Sequence, residues 1–172
     1  TWSAWEDYCK LGEFGDMDDT RYQEGIYVGY RYFDTINKKP LFPFGYGRSY
    51  TTFDLETNDV TVEKDKIISH VKVTNTGDMD GMEVVQVYVS APQGNLNKPY
   101  QELAAFEKTD CLKPGQSQQL AVSFCLSDFA SYDTAREAYV LEKGDYIIRI
   151  GNSSADTCAA AAVSLDAEVI VS

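Results

Sequence analysis

The chain has 172 residues, 44% of them apolar and 24% charged, which is enough for one ordinary domain with a buried core. Asp and Glu number 27 against 15 Lys and Arg, so the net charge is -12 at pH 7. This charge repels nucleic acid and anionic membrane surfaces, and no run of about 18 apolar residues occurs that could cross a bilayer. We therefore expect a folded, soluble chain with no nucleic-acid partner and no membrane partner.

Residues 1–49 show no simple alternation of apolar and polar residues. They begin with TWSAW, which is neither a start methionine nor a signal peptide, so we expect the chain to be cut from a longer polypeptide. An acidic loop, EFGDMDDTRYQEG (13–25), leads into IYVGYRYFDT (26–35), which we predict to be a strand with a glycine inside it. Ten aromatic residues fall between Tyr22 and Phe53. They have too few apolar neighbours for a core of their own, so we expect them to pack on the following domain or on another part of the protein.

The stretch FPFGYGRSYTTF (42–53) places five aromatic rings around two glycines. Gly45 and Gly47 can adopt backbone angles that a side chain forbids, which lets the rings point to different sides. This composition suits a rigid joint between two packed bodies. The residues that we assign to this joint are Phe42, Phe44, Gly45, Tyr46, Gly47 and Tyr50. The alternative interpretation is that the rings only complete the base of the following domain.

From about residue 59 the sequence alternates apolar and polar residues in short segments, as antiparallel strands with one buried face do. The positions predicted to face the core are Ile67, Val71, Val73, Val85, Val87, Val89, Leu120, Val122, Phe124, Tyr146, Ile148 and Ile150. Gln86, Tyr88 and Ser123 are predicted to face outward. Gly and Pro in NTGDMDG (75–81), LKPGQ (112–116) and EKGD (142–145) supply the turns. About seven strands without a long helix predict a mainly β fold, a two-sheet sandwich of the immunoglobulin or fibronectin type III kind.

Candidate catalytic groups are sparse in this sequence. The only dense acidic cluster is Glu13, Asp16, Asp18, Asp19 and Glu24. Adjacent acids in one loop rarely face each other across a sugar, as the carboxylates of a glycosidase must, and the glycine of a calcium loop is missing. His70 is predicted to face outward without a partner, and no nucleophilic serine elbow or phosphate loop occurs. We therefore assign no catalytic residue and no cofactor.

The four cysteines also point away from a metal site. They lie at positions 9, 111, 125 and 158, form no CxxC pair, and have one histidine in the whole chain to join them. A zinc site needs four closely grouped ligands, so we assign no metal. A bridge between Cys111 and Cys125 across a hairpin remains an alternative, but four cysteines do not make a disulfide framework in a chain of this length. We expect free thiols in a reducing compartment.

Six motifs follow one another in a specific order. They are EGIYVGYRYFDT, PLFPFGYGRSYTTF, VTNTGDMDGMEVVQVYVSAP, LAAFEKT, LKPGQSQQL and GDYIIRIGNSS. Together they resemble glycoside hydrolase family 3, the β-glucosidase group, although Arg48 stands where this family usually has an aliphatic residue. The resemblance implies that residues 1–49 are the C-terminal segment of an α/β-sandwich domain and a linker. It implies that residues 50–156 are a fibronectin type III-like sandwich and residues 157–172 the last strand and an exit segment.

The resemblance also implies that catalysis occurs elsewhere in the protein. Family members use an aspartate nucleophile on a (β/α)8 barrel and a glutamate acid/base on the α/β-sandwich domain, and neither position falls in this chain. The expected partners are therefore these domains of the same glycosidase, which bind the β-glucoside and need no cofactor. The expected location is the bacterial cytoplasm, with secretion as the alternative. Two other functions stay open: a protein-interaction domain, and a free-standing carbohydrate-binding domain, for which Tyr88 is the main outward aromatic residue.

Overall fold

The structure, a computed structural model, describes residue 18 and residues 24–171. Within these residues one short helix precedes ten strands. They are α1 Tyr30–Thr35, β1 Phe53–Glu63, β2 Lys66–Asn75, β3 Val84–Ser90, β4 Glu102–Lys108, β5 Ser117–Cys125, β6 Ser131–Asp133, β7 Ala138–Leu141, β8 Gly144–Ser153, β9 Asp156–Leu165 and β10 Val169–Val171. A short 3-10 helix, Leu126–Phe129, connects β5 to β6.

Seven of the strands form two antiparallel sheets that pack face to face. One sheet has the order β1-β2-β5 and the other the order β4-β3-β8-β9. The short strands β6, β7 and β10 form a separate sheet in the order β10-β7-β6. The predicted mainly β fold, a sandwich of the fibronectin type III kind, is confirmed.

The inner faces of the two sheets meet in one apolar core. All twelve apolar positions that the alternation predicts to face inward are buried, and they are joined by Leu112, Leu126 and Leu141. Burying one such side chain contributes about 1.5–3 kcal/mol, so this cluster supplies most of the free energy that favours the folded sandwich. Ser123 is only half-buried, as expected for a residue on the other face of β5.

Strand β3 differs from the prediction because both of its faces are covered. Gln86 and Tyr88, which we predicted to face outward, are only 6% and 0% exposed. Tyr88 Oη donates a hydrogen bond to Gln86 Oε1 at 2.5 Å, and Gln86 Nε2 donates one to the carbonyl oxygen of Asn152 at 2.6 Å. The chain before the sandwich folds back over this outer face. The alternation of apolar and polar residues in β3 therefore does not correspond to one buried and one solvent-exposed face.

The segment IYVGYRYFDT is also different from the prediction, because it contains a helix instead of a strand. Gly29 precedes α1 with a φ of 61°, an angle that does not occur in a regular strand. After the helix, Asn37 adopts a φ of 52°, and the amides of Asn37 and Lys38 donate to the carbonyls of Asp34 and Phe33. These two bonds make a Schellman motif, which ends the helix after less than two turns.

Candidate domain-joint surface

Helix α1 lies against the start of β4 through one of its faces. The Tyr30 hydroxyl accepts a hydrogen bond from the Leu103 amide at 2.7 Å, and the Arg31 guanidinium lies 3.1 Å from a Glu102 carboxylate oxygen. The Tyr30 ring also makes an edge contact with buried Tyr88, with 5.9 Å between the ring centroids. These contacts join residues 26–37 to the sandwich, so the aromatic residues of this segment do not form a separate core.

A tight turn at residues 43–46 extends this contact. The Tyr46 amide donates to the Pro43 carbonyl at 3.1 Å, and the Phe44 carbonyl accepts from the amide of Ser154, beyond the end of β8, at 2.8 Å. The Phe44 ring stacks on Tyr30 with 4.8 Å between centroids. The turn is therefore attached to the sandwich by a backbone hydrogen bond and to helix α1 by a ring contact.

The two glycines of the turn region have different roles. Gly45 has a φ of 81°, and a Cβ atom there would overlap the side-chain amide of Gln86. The backbone requirement that we predicted is thus confirmed for Gly45. It is wrong for Gly47, whose φ is not positive and which has open space where a Cβ atom would lie.

The other end of the aromatic stretch is attached through a buried amide. Thr51 Oγ1 donates to Asn75 Oδ1 at 2.6 Å. Asn75 Nδ2 donates to the carbonyls of Met79 and Leu112, both at 2.8 Å. One asparagine therefore fixes both the end of the stretch and the loop between β2 and β3 against the core.

Burial changes the pKa of two groups where helix α1 meets the sandwich, Asp34 of the helix and Tyr88 of β3. Burial raises the pKa of the Asp34 carboxyl, and the hydrogen bond that it accepts from Gln101 Nε2 at 2.9 Å only partly opposes this effect. Burial also raises the pKa of Tyr88, to which the charges of Tyr30 and Asp34 add. Both shifts favour the neutral form, as expected where a polar contact is shielded from water.

The aromatic residues that we assigned to the joint remain accessible on the outer side. Phe42, Phe44, Tyr46 and Tyr50 are 48%, 39%, 47% and 96% exposed. Phe42 and Tyr46 contact each other, with 5.4 Å between centroids. We call these four residues the joint surface. Rings of this size are costly to leave in water, and here they lie in a segment whose turn is hydrogen-bonded to the sandwich.

The sandwich itself adds apolar groups to the same region. A cavity of about 760 Å³ lies between residues 39–49 and the sandwich, and its lining includes Leu41, Tyr46, Met82 and Val84. Leu41 is 70% exposed and Met82 is 48% exposed. The exposed apolar area thus extends from the aromatic stretch to the start of β3.

Groups that could perform chemistry are not gathered here. Asp18 is exposed and Glu24 is half-buried, while Glu13, Asp16 and Asp19 lie outside the described residues. In residue 18 and residues 24–171, no group of three or more His, Cys, Asp or Glu side chains could hold a metal ion. Cys111, Cys125 and Cys158 are free thiols, and Cys9 lies outside these ranges. No helix among these residues is long and apolar enough to cross a membrane.

Several residues of this region have no signal in the sequence. Tyr30 and Asp34 lie in a segment that we predicted to be a strand, and Gln101 lies in a loop without a motif. Gln86 is polar at a position where alternation predicts solvent. Its neighbours in the chain gave no sign that a second layer covers it, because that layer comes from about 40 residues earlier in the sequence.

Comparison with known proteins agrees with this architecture. Residues 83–154 match the family of fibronectin type III-like domains. The chain is 44% identical to beta-glucosidase A of Butyrivibrio fibrisolvens over 88% of its own length. It is 39% identical to an exo-alpha-(1->6)-L-arabinopyranosidase of Bifidobacterium longum over 91% of its own length.

Solved structures extend the match to the fold. A beta-glucosidase from Paenibacillus barengoltzii superposes with a TM-score of 0.90 at 42% identity over 97% of this chain. The GH3 beta-glucosidase of Bifidobacterium adolescentis superposes with a TM-score of 0.77 at 38% identity over 83% of the chain. The chain belongs to glycoside hydrolase family 3. It spans about a fifth of the length of these family 3 proteins, 21% of the B. fibrisolvens relative and 20% of the P. barengoltzii structure.

Proposed function

We propose that this chain is the domain-bracing module of a retaining β-glycosidase, a β-glucosidase that hydrolyses β-linked glucosides in carbohydrate catabolism. The observation that carries the proposal is the joint surface: four aromatic residues, 39–96% exposed, lie in one segment that is hydrogen-bonded to a family 3 sandwich at Phe44 and at Thr51. A fixed apolar surface of this kind is typical of a contact with a second folded body.

The proposed second body is the rest of the same glycosidase, its α/β-sandwich domain and (β/α)8 barrel, which would bind the β-glucoside. Each large ring that such a contact covers removes about 150–250 Å² from water. The four rings at one seam would therefore stabilise the docked arrangement of the domains. The arabinopyranosidase relative shows that similarity in this region does not by itself fix the sugar, so β-glucoside is the part of the proposal that rests on the β-glucosidase relatives.

The bacterial cytoplasm is the proposed location. Free Cys111, Cys125 and Cys158 support it, since thiols stay reduced there. A count of the accessible thiols in the denatured protein tests this part. Two thiols fewer than the four cysteines of the sequence would favour the secreted alternative.

The free-standing carbohydrate-binding alternative loses its main support. It depended on Tyr88 as an outward aromatic residue, and Tyr88 is 0% exposed. Sugar-binding surfaces need accessible rings, so this residue cannot take part without opening the fold.

The test compares the chain alone with the complete glycosidase on a panel of aryl β-glycosides. We expect the complete protein to turn over the aryl β-glucoside and the chain alone to turn over none, since catalysis needs a placed pair of carboxylates. Turnover by the pure chain that is lost in Asp18→Asn or Glu24→Gln would overturn the proposal. If the complete protein cleaves only another glycoside, the proposed β-glucoside substrate is wrong, and the proposed bracing role is unaffected.

A further inference from the structure

The connection between β3 and β4, residues 91–101, is held at one end by a buried carboxylate. Glu142 lies in the turn before β8 and accepts hydrogen bonds from the amides of Asn95 at 2.7 Å and Leu96 at 3.3 Å. It also pairs with the ammonium group of Lys98, and the two side chains are only 8% and 2% exposed. Lys98 donates a further hydrogen bond to the Leu96 carbonyl at 3.2 Å. One side chain thus binds three residues of this connection, Asn95, Leu96 and Lys98.

Close packing makes this arrangement specific. A Cβ atom at Gly94 would lie 2.6 Å from the Glu142 carboxylate, and one at Gly144 would lie 2.7 Å from the Pro92 side chain. Burial alone would raise the pKa of the Glu142 carboxyl, but the hydrogen bonds from Lys98, Asn95 and Leu96 outweigh burial and hold the pKa below its usual value. The carboxylate is therefore ionised at neutral pH, and removing one partner of such a pair leaves an uncompensated buried charge.

The other end of the same connection contacts helix α1. The Tyr100 amide donates to Thr35 Oγ1 at 2.8 Å, and Gln101 Nε2 donates to Asp34 Oδ2 at 2.9 Å. Glu102 follows directly and forms the ion pair with Arg31. Arg31, Asp34 and Thr35 are spaced i, i+3 and i+4, so they lie on one face of the helix.

A stiff dipeptide separates the two ends. Lys98 is followed by Pro99, which is buried and has its φ fixed by the ring, and the residue before a proline is restricted as well. Few backbone angles between Lys98 and Tyr100 are therefore left to absorb a displacement of Lys98. Gln101 is 1% exposed and also donates to the Ser154 carbonyl at 2.6 Å, so it has little freedom to adjust separately.

We propose that residues 91–101 act as a strap that transmits the state of the buried Lys98–Glu142 pair to helix α1, so that the helix stays docked only while the pair is intact. The inference deepens the proposed function and rests on it in one respect, that α1 supports Phe44 of the joint surface. The proposal predicts a coupling free energy between Glu142 and the contacts of α1. This coupling can be measured in the 172-residue chain without any other domain.

The experiment uses hydrogen exchange of the 172-residue chain. We expect Glu142→Gln to speed exchange of the α1 amides by about tenfold or more while amides of β2 and β5 keep their protection. The matched control is Arg136→Gln, which removes the exposed ion pairs with Asp133 and Glu168 and touches no part of the strap. It should change neither set of amides.

A double-mutant cycle then separates coupling from local damage. Thr35→Val removes the acceptor of the Tyr100 amide and also the hydroxyl that donates to the Arg31 carbonyl within α1. It should speed α1 exchange in the wild-type background, and by a smaller factor in the Glu142→Gln background, where only the loss of the bond within the helix is left to act. Additive effects, or unchanged α1 protection while amides of residues 94–98 become exposed, would overturn the proposal. If Glu142→Gln unfolds β2 and β5, the double variant Lys98→Met with Glu142→Gln replaces it, because this variant leaves no unpaired charge. Faster exchange of the α1 amides in that variant would support the proposal, and unchanged α1 protection would overturn it.

These results are independent of the docking proposal. Additive effects in the double-mutant cycle would overturn the strap and would not bear on the docking of the joint surface. A joint surface that stays exposed in the complete glycosidase would overturn the docking proposal and would not change the measured coupling.

Discussion

Gly45 lies directly on the side-chain amide of Gln86, and no Cβ atom fits between them. This contact joins the aromatic stretch to the outer face of β3, and it requires both the φ of 81° and the missing side chain of Gly45. The residues that bury Gln86 are therefore the same residues that present Phe44 and Tyr46 to the outside.

Gly45→Ala should destabilise the chain. The left-handed backbone alone costs a non-glycine residue about 1–2 kcal/mol, and displacement of Gln86 adds to this loss. Gly47→Ala is the matched control, because Gly47 has no positive φ and its Cβ atom would meet nothing within 4 Å. It should change the free energy of unfolding by less than about 0.5 kcal/mol. Urea unfolding of both variants measures the difference, and equal losses would show that the turn is not packed as described.

Gln86→Asp should unfold the chain or lower its stability by several kcal/mol, since it puts an unpaired charge where Tyr88 and Asn152 now have a partner. Ser123→Asp introduces the same charge at a half-buried position of β5 and should cost much less. The comparison checks whether the outer face of β3 is truly covered. Similar tolerance at both positions would mean that residues 26–50 do not cover it in solution.

The pH dependence of helix docking should reflect Asp34. Its pKa is raised in the folded state, so its favourable contribution is complete below the unfolded value near 3.8 and is lost as the pH rises through the folded pKa. Asp34→Asn keeps an acceptor for Gln101 and does not ionise. At pH 7 this variant should therefore be at least as stable as the wild type, with slower exchange of the α1 amides, and the two proteins should converge at about pH 3. A less stable variant at pH 7 would show that the ionised carboxylate is favoured.

Phe44→Ala should lower the melting temperature of the complete glycosidase more than that of the chain alone. In the chain alone Phe44 is 39% exposed and stacks on Tyr30, so truncation removes a side chain that is only partly buried. A fully buried phenylalanine costs about 3–5 kcal/mol when truncated, and docking is what would complete its burial. Tyr132→Ala, at a ring that is 50% exposed on the separate β6–β7–β10 sheet, is the control and should affect both proteins equally.

The sequence predicts the sandwich well for a physical reason. Strands such as β2, β5 and β8 have one buried face and one more exposed face, so apolar residues recur in them with period two. All of their predicted core positions are buried. The prediction fails where tertiary contacts replace solvent. β3 is covered by a segment distant in sequence, and α1 is a short helix whose ends are set by Gly29 and Asn37 instead of by an apolar stripe.

The sequence predicts which residues belong to the joint surface, but it does not predict how they are attached to the sandwich. Clustered rings and glycines identify residues 42–50 as unusual, because such rings need a partner surface. Their attachment depends on Tyr30, Asn75 and Gln86, which are single residues with ordinary neighbours. No periodicity marks a contact made by one side chain, so these anchors become visible only in the folded chain.

Hydroxyl-radical labelling of Tyr50 tests most directly whether the joint surface is covered by another domain, because this side chain is 96% exposed in the 172-residue chain. The measurement compares its labelling rate in the chain alone and in the complete glycosidase, with Tyr132 as an internal reference. The domain-joint proposal predicts that Tyr50, together with Phe42 and Phe44, is labelled several-fold more slowly in the complete protein, while Tyr132 reacts at the same rate in both. Equal labelling of Tyr50 in the two proteins would contradict it.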